Sequence, residues 1–311
     1  MLFLIYNCYM ENSKIIQGLM RLKDVSSKDL ADLIKFDLDH GINFFDTSSI
    51  YNDGDSERKL GEALKIDPTL RKRMIIQTKC GIYKNREKGT CIYDLSYDAI
   101  IKSCEDSLSR LGLPYVDYFL LHRPDIFLDN EEVAKAFNYL YEKGMVKHFG
   151  VSNFSKETIK YLEDTCKQKI EINQLQLGIG HPSIISEELN FNTYFNEGIE
   201  RSGNIFFYLK RKNILLQCWS PFQYGMFEGL IFNNDEKYHE LNIYLRELAT
   251  KYNSTPQGIA IAFLLKLGTN VQVLIGSTNK DHILDAINGA KIELTKDEWY
   301  KIYTSSGQKL P

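Results

Sequence analysis

The chain has 311 residues, 43% of them apolar and 25% charged, with a formal net charge of -3, which is enough material for one large α/β domain or two smaller ones. The near balance of charge, with no Lys/Arg block interleaved with aromatics, excludes a generic nucleic-acid track, and no uninterrupted apolar run reaches the roughly 20 residues a membrane-spanning helix needs. The six cysteines, Cys8, Cys80, Cys91, Cys104, Cys166 and Cys218, share no repeated spacing and no CxxC, so they read as reduced thiols rather than as a disulfide frame or a structural zinc site.

The opening MLFLIYNCYM has no basic leader and no small-residue cleavage site. It reads as non-targeting, an extension or leading strand within residues 1–14, and the expected location is cytoplasmic. Residues 15–19 form a short strand candidate, followed by the helix pattern SSKDLADLIKFDLDHG, capped at Ser26 or Ser27 and ended at Gly41. INFFD is a buried strand. Next come a helix over 56–64, a strand over 74–78, a helix over 97–111 and a strand over 116–121. The alternation continues with a helix over 131–143, a strand over 146–150, a helix over 156–165 and a strand over 171–174. After a longer polar connection, 199–210, 214–218, 238–252 and 273–275 supply the sixth helix, seventh strand, seventh helix and eighth strand. TPQGIAIAFLLKLG is an additional helix, with Pro256 in its first turn and Gly268 at its end.

Continuous apolar strands separated by amphipathic helices imply a parallel sheet covered by helices. Eight such units close an α/β fold of the (β/α)8 or TIM-barrel type, a single domain over 1–311. In such a barrel the carboxyl ends of the strands converge on one mouth. Four chemically distinct groups fall there. Asp46 ends INFFD, Tyr51 follows five residues later, Lys79 ends MIIQTK and His122 ends YFLLH. Singly, each has a bland reading: a strand-end cap, a surface aromatic, a solvated lysine, a satisfied histidine. Together, at successive strand ends, they point to proton-transfer chemistry.

The segments GINFFDTSSIY, IIQTKCG and YFLLHRPD, followed in order by GVSNFS, INQLQ, CWSPF and VLIGSTNKDHI, resemble those of the aldo-keto reductases over nearly the whole chain. The likeness is greatest to a bacterial oxidoreductase branch with a comparable IGS motif and a terminal Trp-bearing helix, here DEWYKIY. The resemblance implies NADPH-dependent reduction of a small aldehyde or ketone to an alcohol. Such a reduction delivers hydride to carbon and a proton to oxygen, so a neutral donor must stand beside the developing alkoxide. Tyr51 would be that donor, Lys79 an ammonium drawing the phenol toward phenolate, Asp46 its orienting partner and His122 a hydrogen-bond donor to the carbonyl oxygen.

For the cofactor, the resemblance implies Ser152, Asn153 and Gln174 near the carboxamide and Trp219 stacked on the nicotinamide. Ser220, Phe222 and Gln223 would lie along the pyrophosphate, with Gly276, Ser277 and Thr278 in a polar cradle and Lys280 and His282 near the adenosine phosphate. His282 stands where many relatives have arginine, which weakens the attraction for that phosphate; NADPH (or NADP+) is still favoured, with NADH the second candidate. There is no GxGxxG fingerprint, so no Rossmann fold is invoked. Met20, Arg21 and the connections 83–93, 125–130 and 178–199 are expected around the mouth.

DGDSE at residues 53–57 lacks the spacing of a calcium loop and reads as a polar helix start. No histidine or cysteine pattern suggests a metal. Cys80, in the opposite strand phase to Lys79, reads as inert. The competing function is a nucleotide-sensing interaction protein with little turnover; a barrel hydrolase fits less well, with no paired carboxylates or activated serine. Nucleic-acid and membrane partners are not expected, and the oligomeric state is left open.

Overall fold

In the computed structural model the described residues are 11–85, 90–225 and 228–311. Cys8 and the leading segment up to residue 10 lie outside them. In chain order the elements are β1 (Ile15–Gly18), α1 (Ser27–Asp39), β2 (Phe44–Asp46), a 3-10 turn (Tyr51–Gly54), α2 (Asp55–Ile66) and β3 (Ile75–Cys80). Then follow β4 (Ile82–Asn85), β5 (Thr90–Tyr93), α3 (Tyr97–Leu111), β6 (Val116–Leu121), α4 (Asn130–Glu142), β7 (Val146–Ser152), α5 (Lys156–Glu163) and β8 (Ile170–Gln176). The last part comprises α6 (Ser183–Leu189), α7 (Ile205–Lys212), β9 (Leu215–Trp219), β10 (Gln223–Tyr224), β11 (Gly229–Leu230), α8 (Asp235–Lys251), α9 (Pro256–Leu265), β12 (Val271–Ile275), α10 (Lys280–Gly289) and α11 (Lys296–Ser305).

Eight of these strands close a barrel in the order β1-β12-β9-β8-β7-β6-β3-β2, all neighbours parallel. This is the (β/α)8 architecture expected from the alternation. Two small antiparallel hairpins, β4-β5 and β10-β11, are added on loops after β3 and β9. Ser26, Asp129, Thr255 and Asn279 each accept a backbone N–H at a helix start, which satisfies donors that the first turn leaves open. Pro256 occupies the first turn of α9.

Side chains alternate across each strand, so one phase fills the lumen and the other packs against the helices. Ile16, Phe44, Ile75, Tyr118, Leu120 and Ile172 form the apolar cluster inside the barrel. Phe45, Ile76, Cys80, Phe119, Val151 and Leu216 belong to the larger core beneath the helices. Continuing the lumen phase toward the carboxyl ends gives Asp46 two residues after Phe44, Lys79 four after Ile75 and His122 two after Leu120. The same phase sends Cys80 outward. It is fully buried, and burial raises its thiol well above the usual range.

Several elements differ from the sequence expectation. β3 runs two residues further than 74–78 and so carries Lys79 itself. The connection 178–199 contains α6, whose Ile184 and Ile185 are buried and whose Ser186 accepts from Tyr303 Oη at 2.9 Å; that tertiary contact, not local polarity, decides its conformation. The sixth helix begins at Ile205, not 199. α10 occupies a stretch read only as part of the cofactor cradle, with Ile283 and Ala286 turned into the core. Among the described residues no helix is long and apolar enough to cross a membrane.

Candidate active site

β2 and β3 bring Asp46 and Lys79 side by side in the lumen. Lys79 Nζ lies 2.7 Å from the Asp46 carboxylate, 3.1 Å from Tyr51 Oη and 3.0 Å from the Thr47 carbonyl. The pair is sealed, with side-chain exposures of 0% for Lys79 and 1% for Asp46. Burial opposes charge on Lys79, but Asp46 and Tyr51 counter it and leave the amine above its ordinary value. It is an ammonium.

Tyr51 opens the 3-10 turn that follows β2. The turn is pinned where Asn52 Nδ2 donates to the Met20 carbonyl and to Ser56 Oγ, each at 2.9 Å. Behind it, the buried Glu57 in the first turn of α2 accepts from Thr78 Oγ1 at 2.5 Å and from Arg110 Nε at 2.6 Å. Gly54 has φ of 82°, and a Cβ there would stand 2.8 Å from Arg110 Cδ; only glycine lets the arginine pass to Glu57. The acidic DGDSE segment is therefore a helix start with one structural carboxylate. Burial raises the Tyr51 phenol above its usual value, outweighing the opposing pull of Lys79. This corrects the expectation of a phenol drawn toward phenolate: at rest Tyr51 is a neutral O–H donor.

His122 follows β6, and its ring meets that of Tyr51 edge-on at a centroid separation of 5.8 Å. Burial, then the positive charges of Lys79 and Arg123, hold its pKa well below the usual 6.5, so the ring is neutral. Nδ1 lies 3.1 Å from Ser48 Oγ. The same hydroxyl reaches the Lys79 carbonyl at 3.5 Å; the tautomer in which Nδ1 accepts from Ser48 is the one that carries its proton on Nε2.

Beneath these groups lies a tier of amides of which the sequence reading held only Gln174, and that as a cofactor contact. Asp46 Oδ1 accepts from Gln77 Nε2 at 2.5 Å and from Gln174 Nε2 at 3.1 Å. Both amides also donate to Gln217 Oε1, at 2.9 and 3.0 Å. Gln217 Nε2 donates in turn to Gln272 Oε1 at 3.2 Å, and Gln272 Nε2 to the Ser13 carbonyl at 2.7 Å. A glutamine interrupting an apolar strand in the lumen phase was the signal available.

The mouth encloses a cavity of about 240 Å³, lined by Asp46, Tyr51, His122, Ser152, Asn153, Gln174, Trp219, Ser220, Phe222, Gln223 and Gly276 among others. Eleven of the sixteen residues singled out from sequence thus share one cavity, and Lys79 lies directly behind it. Trp219 Nε1 donates to Asn153 Oδ1 at 3.2 Å, and Asn153 Nδ2 donates to Ser152 Oγ at 2.9 Å. Asn153 and Ser220 hold left-handed backbones with φ of 61° and 49°, a strain found where a site dictates local geometry.

The other four stand apart. Ser277 and Thr278 follow β12, and Lys280 and His282 lie in the first turn of α10. Ser277 Oγ is 3.3 Å from His282 Nδ1. Lys280 turns toward α1, its ammonium 5.1 Å from the centre of the Phe36 ring. Of the expected mouth segments, Met20 and Arg21 line the cavity, whereas the described residues of 83–93, 125–130 and 178–199 contribute no lining residue, 86–89 lying outside the described residues; Arg123 and Leu230 do, unforeseen. The 178–199 segment instead packs behind the site: a Cβ on Gly178 would stand 2.4 Å from the Pro221 carbonyl oxygen. Among the described residues no group of three or more His, Cys, Asp or Glu could hold a metal.

An ammonium shared between a carboxylate and a neutral phenol, beside a neutral imidazole at a barrel mouth, is machinery for moving a proton to or from oxygen. The aldo/keto reductase family model matches residues 14–305, and the chain belongs to that family, whose members are NAD(P)H-dependent oxidoreductases acting on carbonyl compounds. It is 30% identical to the oxidoreductase YdhF of Escherichia coli over 298 residues, covering 94% of this chain and 93% of that protein. It is 29% identical to a 6-dehydroglucose reductase of Agrobacterium fabrum, covering 95% and 94%. An aldo-keto reductase from Klebsiella pneumoniae, solved in complex with NADPH, shares the fold with a TM-score of 0.72 at 18% identity, over 94% of this chain and 90% of that one.

Proposed function

We propose that this chain reduces an aldehyde or ketone with NADPH, Tyr51 giving the proton to the carbonyl oxygen. The observation that carries the assignment of roles is the position of Lys79 Nζ, bonded at once to Asp46 and to Tyr51 Oη. When bound, the nicotinamide supplies hydride to the carbonyl carbon. Tyr51 donates its hydroxyl proton as negative charge develops on the oxygen, and the adjacent Lys79 ammonium stabilises the phenolate left behind. His122 directs Nε2–H at the same oxygen, so the carbonyl is held between two neutral donors. Asp46 keeps Lys79 in place and does not itself exchange the proton.

The cavity suits the cofactor. Gln223 Oε1 is buried without a hydrogen-bond partner, so the protein does not fix this amide and it can turn its Nε2–H to a phosphate oxygen. A Cβ on Gly276 would meet only Arg21 Cδ, at 3.9 Å, which leaves open backbone for close approach of a phosphate. Ser152, Asn153 and Gln174 would hold the carboxamide; Gln174 spends its amide nitrogen on Asp46 and Gln217, leaving Oε1 to accept. Trp219 would stack on the ring, with Ser220, Phe222 and Gln223 along the pyrophosphate. Ser277, Thr278 and the N-terminus of α10 would receive the adenosine phosphate, with His282 and, after leaving Phe36, Lys280. The Klebsiella relative with NADPH supports that choice over NADH. We further infer one domain spanning the chain and a cytoplasmic location, in keeping with reduced thiols.

The test is steady-state oxidation of NADPH across a carbonyl panel. Tight NADPH binding with no turnover on any member would reject the assignment and favour the nucleotide-sensing alternative.

A further inference from the structure

Two guanidinium groups line the cavity without a use in the roles above, Arg21 and Arg123. They lie on different sides. Arg21 is exposed and passes Gly276 on β12's loop, among the residues assigned to the cofactor. Arg123 directly follows His122 and is partly buried. Its charge is felt by both Tyr51 and His122, which places it at the end of the cavity where the carbonyl reacts.

Among the described residues the other partly buried arginines have acceptors: Arg110 bonds Glu57 and Arg71 bonds Asp117. Among the described residues Arg123 has neither a hydrogen bond nor an ion pair. The carboxylate nearest in sequence, Asp125, is engaged otherwise, its two oxygens accepting from the backbone amides of Leu95 at 3.3 Å and Phe127 at 2.9 Å. Asp46 is sealed behind Tyr51 and faces three donors already. A half-buried guanidinium with no acceptor is costly on its own, and its planar fork matches a carboxylate or phosphate in a bidentate geometry.

We propose that Arg123 anchors the substrate, and that the substrate is a carbonyl compound bearing an oxyanion, a carboxylate or a phosphate, within reach of Arg123 when its carbonyl oxygen sits on Tyr51 and His122. This rests on the reductase reading of the same cavity. The apolar side chains of Met20 and Leu230 on the rim would cover the carbon chain between the two polar ends.

The full-length chain with saturating NADPH would be assayed on two matched pairs: 4-oxobutanoate against its methyl ester, and glyceraldehyde 3-phosphate against glyceraldehyde. A charge-assisted bidentate contact predicts that kcat/KM for one anionic member exceeds its neutral partner at least about 10-fold; the pair that shows this identifies the oxyanion. In Arg123→Leu the anionic-to-neutral ratio should fall toward one, and Arg123→Lys should restore part of it, since the charge remains while the fork is lost. NADPH affinity checks that each variant is folded. Neutral aldehydes reduced with a ratio near one in the wild type, or a ratio unaltered in Arg123→Leu, would overturn the anchor and leave the reductase reading standing. If none of these compounds and no other carbonyl is reduced, that reading fails and the anchor with it.

Discussion

Replacing Asp46 with asparagine would test the centre of the site through stability as well as rate. Lys79 is wholly buried, and among the described residues Asp46 is the only carboxylate bonded to it. Removing one partner of a buried ion pair costs about 3–5 kcal/mol, because the other charge is left uncompensated. Two features place this case near the lower end. Lys79 keeps the Thr47 carbonyl and Tyr51 Oη as acceptors, and it can relieve the strain by losing its proton. The sign of the pH dependence follows. In the wild type the folded pKa of Lys79 is raised, so its contribution is fully present below the unfolded value of about 10.4 and is lost as pH rises through the folded value. Without Asp46, burial would push the folded pKa below that of the unfolded chain. The variant then binds fewer protons folded than unfolded and gains stability as pH rises through that window. Urea unfolding of both proteins at about pH 7 and pH 9.5 should give a gap near 3 kcal/mol that narrows at the higher pH. A gap under about 1 kcal/mol at neutral pH, or one indifferent to pH, would refute the account of Asp46 as the charge that holds Lys79.

Tyr51→Phe should lower kcat for carbonyl reduction by about 10²- to 10⁴-fold while NADPH affinity stays close to that of the wild type, since it removes a proton donor and little cofactor contact; near-normal turnover at saturating cofactor would mean another donor. Direct titration should give NADPH at least about a tenfold advantage over NADH, from charge-assisted contacts at Ser277, His282 and the start of α10, and the advantage should shrink in His282→Ala; equal affinities would reject that phosphate site while sparing the chemistry. Because His122 is held neutral with a lowered pKa, kcat/KM should not decline with a midpoint near the ordinary histidine value of about 6.5. The same lowering means that stability falls as pH drops below the unfolded value, and a His122→Gln variant should flatten that slope in urea titrations.

The residues legible in the sequence are those whose position follows from strand phase. Once INFFD, MIIQTK and YFLLH are taken as neighbouring parallel strands, alternation places Asp46, Lys79 and His122 inside and Cys80 outside, and the structure has them there. What alternation cannot convey is which side chains meet across the lumen. Gln77, Gln174, Gln217 and Gln272 come from four strands spread over nearly two hundred residues; Gln174 is legible only as a cofactor contact, and the other three are singly unremarked amides in apolar runs. Arg123 was visible beside His122, yet its meaning depends on Asp125 being engaged elsewhere, a tertiary fact. The short α6 and the two-stranded additions β4-β5 and β10-β11 are decided by what packs against them, not by periodicity over a few residues. The Tyr51 phenol is the instructive case: the adjacent ammonium was correctly foreseen, but burial, which the sequence does not measure, outweighs it.

The amide tier explains how a buried carboxylate can serve a lysine without competing with the phenol for protons. One ammonium neutralises Asp46 and touches both of its oxygens at 2.7 Å, but leaves part of their acceptor capacity unfilled. A second cation beneath would fill it at the expense of drawing Asp46 down and away from Lys79. Neutral amides supply the missing donors with no net charge: Gln77 and Gln174 hold Asp46 Oδ1, and Gln217 holds both of them through one shared oxygen. The charge balance of the pair stays between Asp46 and Lys79, and the hydroxyl of Tyr51, bonded to that ammonium and facing the cavity, is left as the group that gives up a proton. Gln174 joins the two halves of the site, since its nitrogen belongs to this tier while its side chain lines the cavity, so the orientation of Asp46 and the seat of the carboxamide depend on the same residue.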